Sequence, residues 1–259
     1  MSLLSTLQQL CNYDTALLAN TIGFIDPTPA QEFYMSGVIQ SDTPTLGPTV
    51  GVAVTCEVAT STPNQEWDFD TFYDNIFPVI ERSKEPVVLV LKSVGTRPEH
   101  ECVMGDGLAK MLNAVGCIGL VTDGRVRDVE AMLSVPFATY SRGRCIHHCA
   151  WRFTRPNLPV EIGGITISPG EVIHANIGGV LKIPSGCLEI LPERAAAMHA
   201  FEDRAHCVNR ITGLHINEKR RQISRLLEEF GFKSLDWTRP HDTSGQKAPA
   251  KASKRHKSD

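Results

Sequence analysis

Residues 104–128 read MGDGLAKMLNAVGCIGLVTDGRVRD. The run predicts a helix opening at Gly105-Asp106-Gly107-Leu108 and broken by Gly116, then a short apolar strand over 118–121. Asp123-Gly124 turns the chain, and Arg127-Asp128 arrive where a second helix begins. Free backbone N–H groups and the positive dipole end at the first helix start favour an anion. An anion cradle, an arginine and several carboxylates therefore meet at the ends of neighbouring elements. Those are the pieces of an active site.

Working outward, residues 2–23 carry leucines at helical spacing, 26–47 form a Pro-, Ser- and Thr-rich loop, and 49–59 alternate as a strand. Residues 67–83 predict a helix that Pro78 kinks or interrupts, 87–91 a buried strand, and 92–102 a polar loop. Past Asp128 come a short helix carrying Val129 to Leu133 and a strand over 135–140. Four glycine-punctuated strands follow at 160–162, 165–167, 171–175 and 179–183, then helices over 191–211 and 217–230. A compact β unit after an α/β unit predicts two sheets packed within one α/β domain, spanning residues 1–238 with its helices at the C-terminal end.

A chain of 259 residues with 42% hydrophobic content can bury a core, and a formal charge of −3 gives no bulk signal for nucleic acid. Residues 239–259 differ: Lys247, Lys251, Lys254, Arg255 and Lys257 sit among Pro, Ala, Ser and Gly. Such a segment buries too little to offset its chain entropy, so it reads as a disordered basic tail. Its plain role is a solvated tail; contact with RNA or another anionic partner is the alternative. No run approaches the ~20 apolar residues of a membrane span, and residues 1–21 lack a signal-peptide pattern. The eight cysteines are scattered, as expected of reduced thiols in a cytoplasmic protein.

Asp106, twenty intervening residues, then Arg127-Asp128 match the D-x20-R-D pattern of class II pyruvate aldolases in the RraA-like superfamily. The resemblance continues at Val50-Gly51-Val52-Ala53-Val54-Thr55, at Phe137 and Gly143, at Ile162-Gly163-Gly164-Ile165 with Pro169-Gly170-Glu171, and at Gly179-Val180 to Pro184. It implies a swivelling β/β/α domain assembled as a homotrimer or hexamer. The activity it implies is a metal-dependent carbon–carbon lyase acting on a small 2-oxo acid. Such an enzyme cleaves 4-hydroxy-2-oxo acids to pyruvate, decarboxylates oxaloacetate, or does both. The resemblance places Mg²⁺, or Mn²⁺, on Asp128, which suits a cation held by one carboxylate plus water and substrate. Arg127 would bind substrate oxygens with its planar fork. The amides of Gly105, Asp106, Gly107 and Leu108 would hold the substrate carboxylate, and Asp106 would orient water for proton transfer.

Cys145-Ile146-His147-His148-Cys149 looks like half a zinc site, but no second pair at matching spacing accompanies it. The chain also departs from the family pattern. The family's aspartate-rich turn reads Ala175-Asn176-Ile177-Gly178-Gly179-Val180, and Lys92 stands where many relatives carry an acid. Glu202 and Asp203 are the candidates for the glutamate that some of these aldolases lend from a neighbouring subunit. The alternative function is that of the non-catalytic relatives that bind and inhibit ribonuclease E. Those relatives tend to lose the aspartate after the arginine, which this chain keeps. A quinone methyltransferase, another label in this superfamily, would need a Gly-rich nucleoside loop that the sequence lacks.

Overall fold

Strand β2 (Thr49–Ala59) is the spine of the sheet in this computed structural model, which describes residues 2–148 and 150–233. Its alternation of small and β-branched residues buries both faces, as a central strand requires. Along one edge it pairs parallel with β3 (Val87–Ser93). Its other edge is divided: β11 (Val172–Asn176) takes residues 49–52 and β8 (Arg152–Thr154) takes 57–59, both antiparallel. Beyond β3 lie β5 (Cys117–Thr122) and β7 (Ala138–Ser141), each parallel to its neighbour. β12 (Gly179–Ile183) extends the sheet past β11, and β1 (Gln40–Ser41) extends it past β7. Residues 33–41 join both edges: Lys182 N–H donates to Phe33 O at 2.7 Å, Met35 N–H donates to Val180 O at 2.9 Å, and Gln40 pairs with Ser141. The sheet is thereby nearly closed, which removes exposed strand edges.

Three apolar clusters hold the layers. Helices α3 (Asp70–Asn75), α4 (Phe77–Arg82), α5 (Asp106–Ala114) and α6 (Val129–Met132) cover one face, where Phe72, Ile80 and Leu112 meet Val54, Leu89 and Leu91. On the other face, Val88, Val90 and Tyr140 pack under the hairpin of β9 (Val160–Ile162) and β10 (Ile165–Ile167). Helices α1 (Leu3–Leu10), α2 (Thr15–Ile25) and α7 (Leu191–Asn209) cluster Leu10, Leu18 and Met198 around Leu181 and Ile183. α8 (Ile216–Glu229) follows α7, and Arg204 of α7 meets Glu229 at 3.0 Å. Among the described residues no helix is long and apolar enough to cross a membrane.

Several expectations are corrected. The late β unit is not a second sheet: β11 and β12 join the main one, and only the β9–β10 hairpin stays apart. The reason is visible on β11, where Val172 and Ile173 face different apolar clusters and so need cover on both sides. The helix predicted over 2–23 is two helices, because Asp14 accepts a bond from Leu17 N–H at 2.8 Å and caps a new start. The helix predicted over 67–83 begins at Asp70 and is divided at Ile76, with Pro78 in the first turn of α4. The loop predicted over 26–47 carries a 3₁₀ turn at Ala30–Glu32 and β1. The strand predicted over 135–140 starts only at Ala138, and β8 was not foreseen. The basic segment 239–259 lies outside the described residues.

Candidate active site

The two ends of the Asp106…Arg127-Asp128 motif are brought together by a small parallel ladder. β4 (Cys102–Met104) runs straight into α5, and β6 (Arg125–Val126) runs straight into Arg127. β4 and β6 pair with each other, and Arg127 N–H donates to Met104 O at 3.0 Å. Parallel neighbours need a crossover, here α5 plus β5, and that crossover accounts for the twenty-residue interval. Gly116, at φ +99°, ends α5 and lets the chain turn into β5.

Gly105 is the point of closest approach. A Cβ there would lie 3.1 Å from Arg127 Nε and 3.2 Å from Asp128 Oδ2, so a bare backbone is what lets these groups gather at the start of α5. Arg127 Nε and Asp128 Oδ2 are 3.2 Å apart but off the hydrogen-bonding axis, which leaves Nε buried without an acceptor. A buried orphan donor beside a cleft is aimed at something the chain itself does not supply. Asp128 sits in the left-handed region (φ 58°, ψ 33°) at the start of α6 and makes no capping bond with its side chain. Its carboxylate is 46% exposed, hence available to a ligand.

The cleft itself is about 300 Å³ and is lined by Gly105, Asp106, Gly107, Leu108 and Arg127, so the structure unites these five predicted residues. Asp128 stands at its edge, in contact with Arg127. Asp106 is held below the usual carboxylate range, mainly by Lys110, whose Nζ donates at 2.6 Å, with help from the Gly107 N–H and Arg127. A carboxylate held that low stays ionised and is better at orienting water than at removing a proton.

Phe69, Met111 and Trp151 complete the lining. Trp151 falls in residues 142–157, a segment the sequence reading expects to shape the pocket, whereas Phe69 and Met111 were not foreseen and residues 26–47, also expected there, do not line this cleft. Met111 was legible in principle, one helical turn beyond Gly107 and Leu108 on α5. Phe69 comes from a distant segment and carries no local signal. The Cys-His segment does not form a zinc centre among the described residues. Cys145 Sγ bonds His100 O at 3.1 Å, and His148 stacks on Trp151 with centroids 4.4 Å apart, behind the cleft wall. Lys92 pairs with Asp123 at 2.5 Å. Glu202 accepts from Asn20 at 3.1 Å and Asp203 lies 3.6 Å from His199, and neither lines this cleft. A larger groove of about 460 Å³ between α7 and α8 includes Asp203, Arg204 and Cys207 but not the Asp106…Arg127-Asp128 motif.

Among the described residues no three His, Cys, Asp or Glu side chains converge as a metal-binding set. That suits neither zinc nor calcium. It is compatible with Mg²⁺, which is held through one or two carboxylates and otherwise by water and ligand oxygens. Asp128, uncommitted to a cap and next to the orphan Arg127 Nε, fits that role.

Fold and cleft together give an α/β domain in which a helix start, an arginine and a carboxylate gather beside one small cleft. The chain belongs to the RraA-like family, whose model, described as Aldolase/RraA, matches residues 27–181. Two relatives, from Halalkalibacterium halodurans and Ectopseudomonas mendocina, carry the name "Putative 4-hydroxy-4-methyl-2-oxoglutarate aldolase". The first is 32% identical over 39% of this chain and 49% of its own, the second 31% over 38% and 59%. Protein DlpA of Legionella pneumophila is 31% identical over 52% of this chain and 22% of its own length. The chain thus covers less than two thirds of each of these relatives. In fold it is similar to an uncharacterized protein from Pseudomonas syringae (TM-score 0.63, 23% identity, 84% of this chain and 93% of that one). It is also similar to RraAS2 of Streptomyces coelicolor, described as an unusual member of the RNase ES inhibitor RraA family (TM-score 0.61, 20% identity, 78% and 97%).

Proposed function

We propose that the protein is a divalent-metal-dependent carbon–carbon lyase that cleaves 4-hydroxy-2-oxo acids to pyruvate, decarboxylates oxaloacetate, or does both. The observation that carries this reading is the approach of the Gly105 backbone to Arg127 and Asp128, with Arg127 Nε buried 3.2 Å from the Asp128 carboxylate and without a hydrogen-bond acceptor. Arg127 offers its donors to the 2-oxo acid, and the first amides of α5 hold the carboxylate end. Both reactions place negative charge on the 2-oxo oxygen, and fixed donors that meet that charge lower the barrier. Mg²⁺ or Mn²⁺ bound at Asp128 adds Lewis-acid stabilisation of the same charge. Asp106, kept ionised by Lys110, orients the water that takes up and returns the proton. A trimeric or hexameric assembly, in which Glu202 or Asp203 of a neighbouring copy assists proton transfer, completes the proposal.

The test is pyruvate release from oxaloacetate and from 4-hydroxy-4-methyl-2-oxoglutarate, with Mg²⁺ or Mn²⁺ and again with EDTA. Turnover should depend on metal and fall about 10²–10³-fold in Arg127→Ala and Asp128→Ala, as for loss of an oxyanion stabiliser. Near-wild-type rates in either variant would refute the assignment. Folded protein that neither turns over these acids nor binds Mg²⁺ or pyruvate would point instead to a non-catalytic regulator, the role that the Streptomyces relative's description names.

A further inference from the structure

The side of the cleft formed by Phe69, Met111 and Trp151 is apolar, with Leu108 beside it. Trp151 is fixed in place because its Nε1–H donates to Cys102 O at 3.2 Å, which ties the indole to the same ladder that positions Arg127. Phe69 lies against it with centroids 5.5 Å apart and planes tilted by 31°. Trp67 continues the aromatic surface outward, 6.1 Å from Trp151, and is 61% exposed. Phe69 and Trp151 back onto the core at Phe72 and Phe153 while their other sides line the cleft, and Trp67 leaves the aromatic surface open to solvent.

Charge on the lining points the same way. Asp106 and Arg127 are its charged members, and in the lyase reading Arg127 is engaged by the 2-oxo acid end. Among the described lining residues Arg127 is the one cation, so a second carboxylate further along the ligand would meet no counter-charge there, only the electron-rich faces of the rings. Lys110, the nearby cation, is already bound to Asp106 at 2.6 Å.

We propose that Phe69, Met111 and Trp151 form a subsite for an apolar, ring-sized substituent on C4. The favoured substrate class is then the monocarboxylic 4-aryl- or 4-alkyl-4-hydroxy-2-oxo acids rather than the dicarboxylic ones. For turnover this rests on the lyase reading; as a binding subsite it stands separately. In the cleavage the C3–C4 bond breaks and the C4 hydroxyl gives up its proton to become an aldehyde carbonyl. The bonding pair moves to C3 as the pyruvate enolate, and a proton returns there. 4-Hydroxy-2-oxo-4-phenylbutanoate would give benzaldehyde and pyruvate, with no oxidant or reductant.

Binding and turnover separate the two ideas. Titrating the protein, with Mg²⁺ present, with 4-phenyl-2-oxobutanoate and with 2-oxoglutarate, neither of which has a C4 hydroxyl to cleave, should show the aryl acid bound about tenfold or more tighter. That preference should collapse about tenfold in Trp151→Ala and in Met111→Arg, the latter on a side chain already 40% exposed and so tolerated by the fold. Equal or tighter binding of 2-oxoglutarate, no binding of the aryl acid, or a preference that survives both variants overturns the subsite. Aryl-acid binding without pyruvate release from either hydroxy acid or from oxaloacetate keeps the subsite and sinks the lyase reading. Pyruvate release without the preference does the reverse.

Discussion

At Asp128 strain and exposure coincide. A left-handed backbone costs a non-glycine residue about 1 kcal/mol, and the side chain returns nothing to the helix because it makes no capping bond. Asp128→Gly should therefore be neutral or slightly stabilising in denaturant unfolding while turnover falls at least as far as in Asp128→Ala. A clear loss of stability would mean that the carboxylate serves the fold instead. Gly105 gives the complementary case. Its own backbone is extended (φ −130°, ψ 179°), a conformation any residue adopts, so the added methyl of Gly105→Ala acts only on its neighbours. Arg127 and Asp128 must shift by a few tenths of an ångström. We expect a Tm within a few degrees of wild type and a turnover reduced about tenfold or more, since catalytic donors tolerate little displacement. Unchanged turnover would show that the close approach is incidental.

At the scale of elements, one buried imidazole adds hydrogen bonds to the apolar packing of the N-terminal helices on the sheet. His174 on β11 has Nδ1 3.0 Å from Thr15 Oγ1 and Nε2 3.1 Å from Tyr13 O, so Nε2 carries the proton and the threonine hydroxyl donates to Nδ1. Burial drives its pKa from 6.5 down to about 4, against the pull of the Leu10 and Tyr13 carbonyls and Asp14. The unfolded chain thus takes up a proton near pH 6.5 that the folded one refuses until about pH 4. The stability this residue contributes is complete above pH 6.5 and is lost as pH falls through that window, by about 3 kcal/mol. His174→Gln should be less stable at pH 7 yet show a flatter dependence between pH 6.5 and 4 in denaturant titrations. An unchanged slope would exclude His174 as its source. The same element marks the limit of what the sequence discloses. α8 was legible from its local helical periodicity, β2 and β3 from apolar, β-branched runs, and α7 from a long stretch of helix-forming residues after Pro192. β1 and β8 were not, since two or three residues become a strand only through the partner they find. β11 was recognised as a strand but assigned to the wrong sheet, because its partner Thr49 lies far back in the chain. The motif spacing of the site was legible for the opposite reason: one crossover fixes it. On the aromatic side of the cleft the segment holding Trp151 was expected, whereas Phe69 depends on tertiary approach and left no local trace.

Across the whole molecule the thiols divide by layer. Burial pushes Cys56, Cys117 and Cys187 up to about 12 and Cys102 up to about 11, while Cys11 and Cys207 lie at the surface. Iodoacetamide on native protein at pH 7.5 should mark Cys207 well before those four, as read by peptide mass spectrometry, and the four should react together only once the protein unfolds. Early labelling of Cys102 would instead reveal opening of the β4–β6 ladder beneath the cleft. A different consequence follows from the divided edge of β2. During synthesis this β-branched strand can pair with β3 early, but the segments that cover its other side, residues 152–154 and 172–175, leave the ribosome much later. At about 5–20 residues per second, that edge stays open for roughly 5–20 s. A nascent chain in that interval offers an apolar strand edge to any other chain that carries one, an exposure that ends only when β8 and β11 dock.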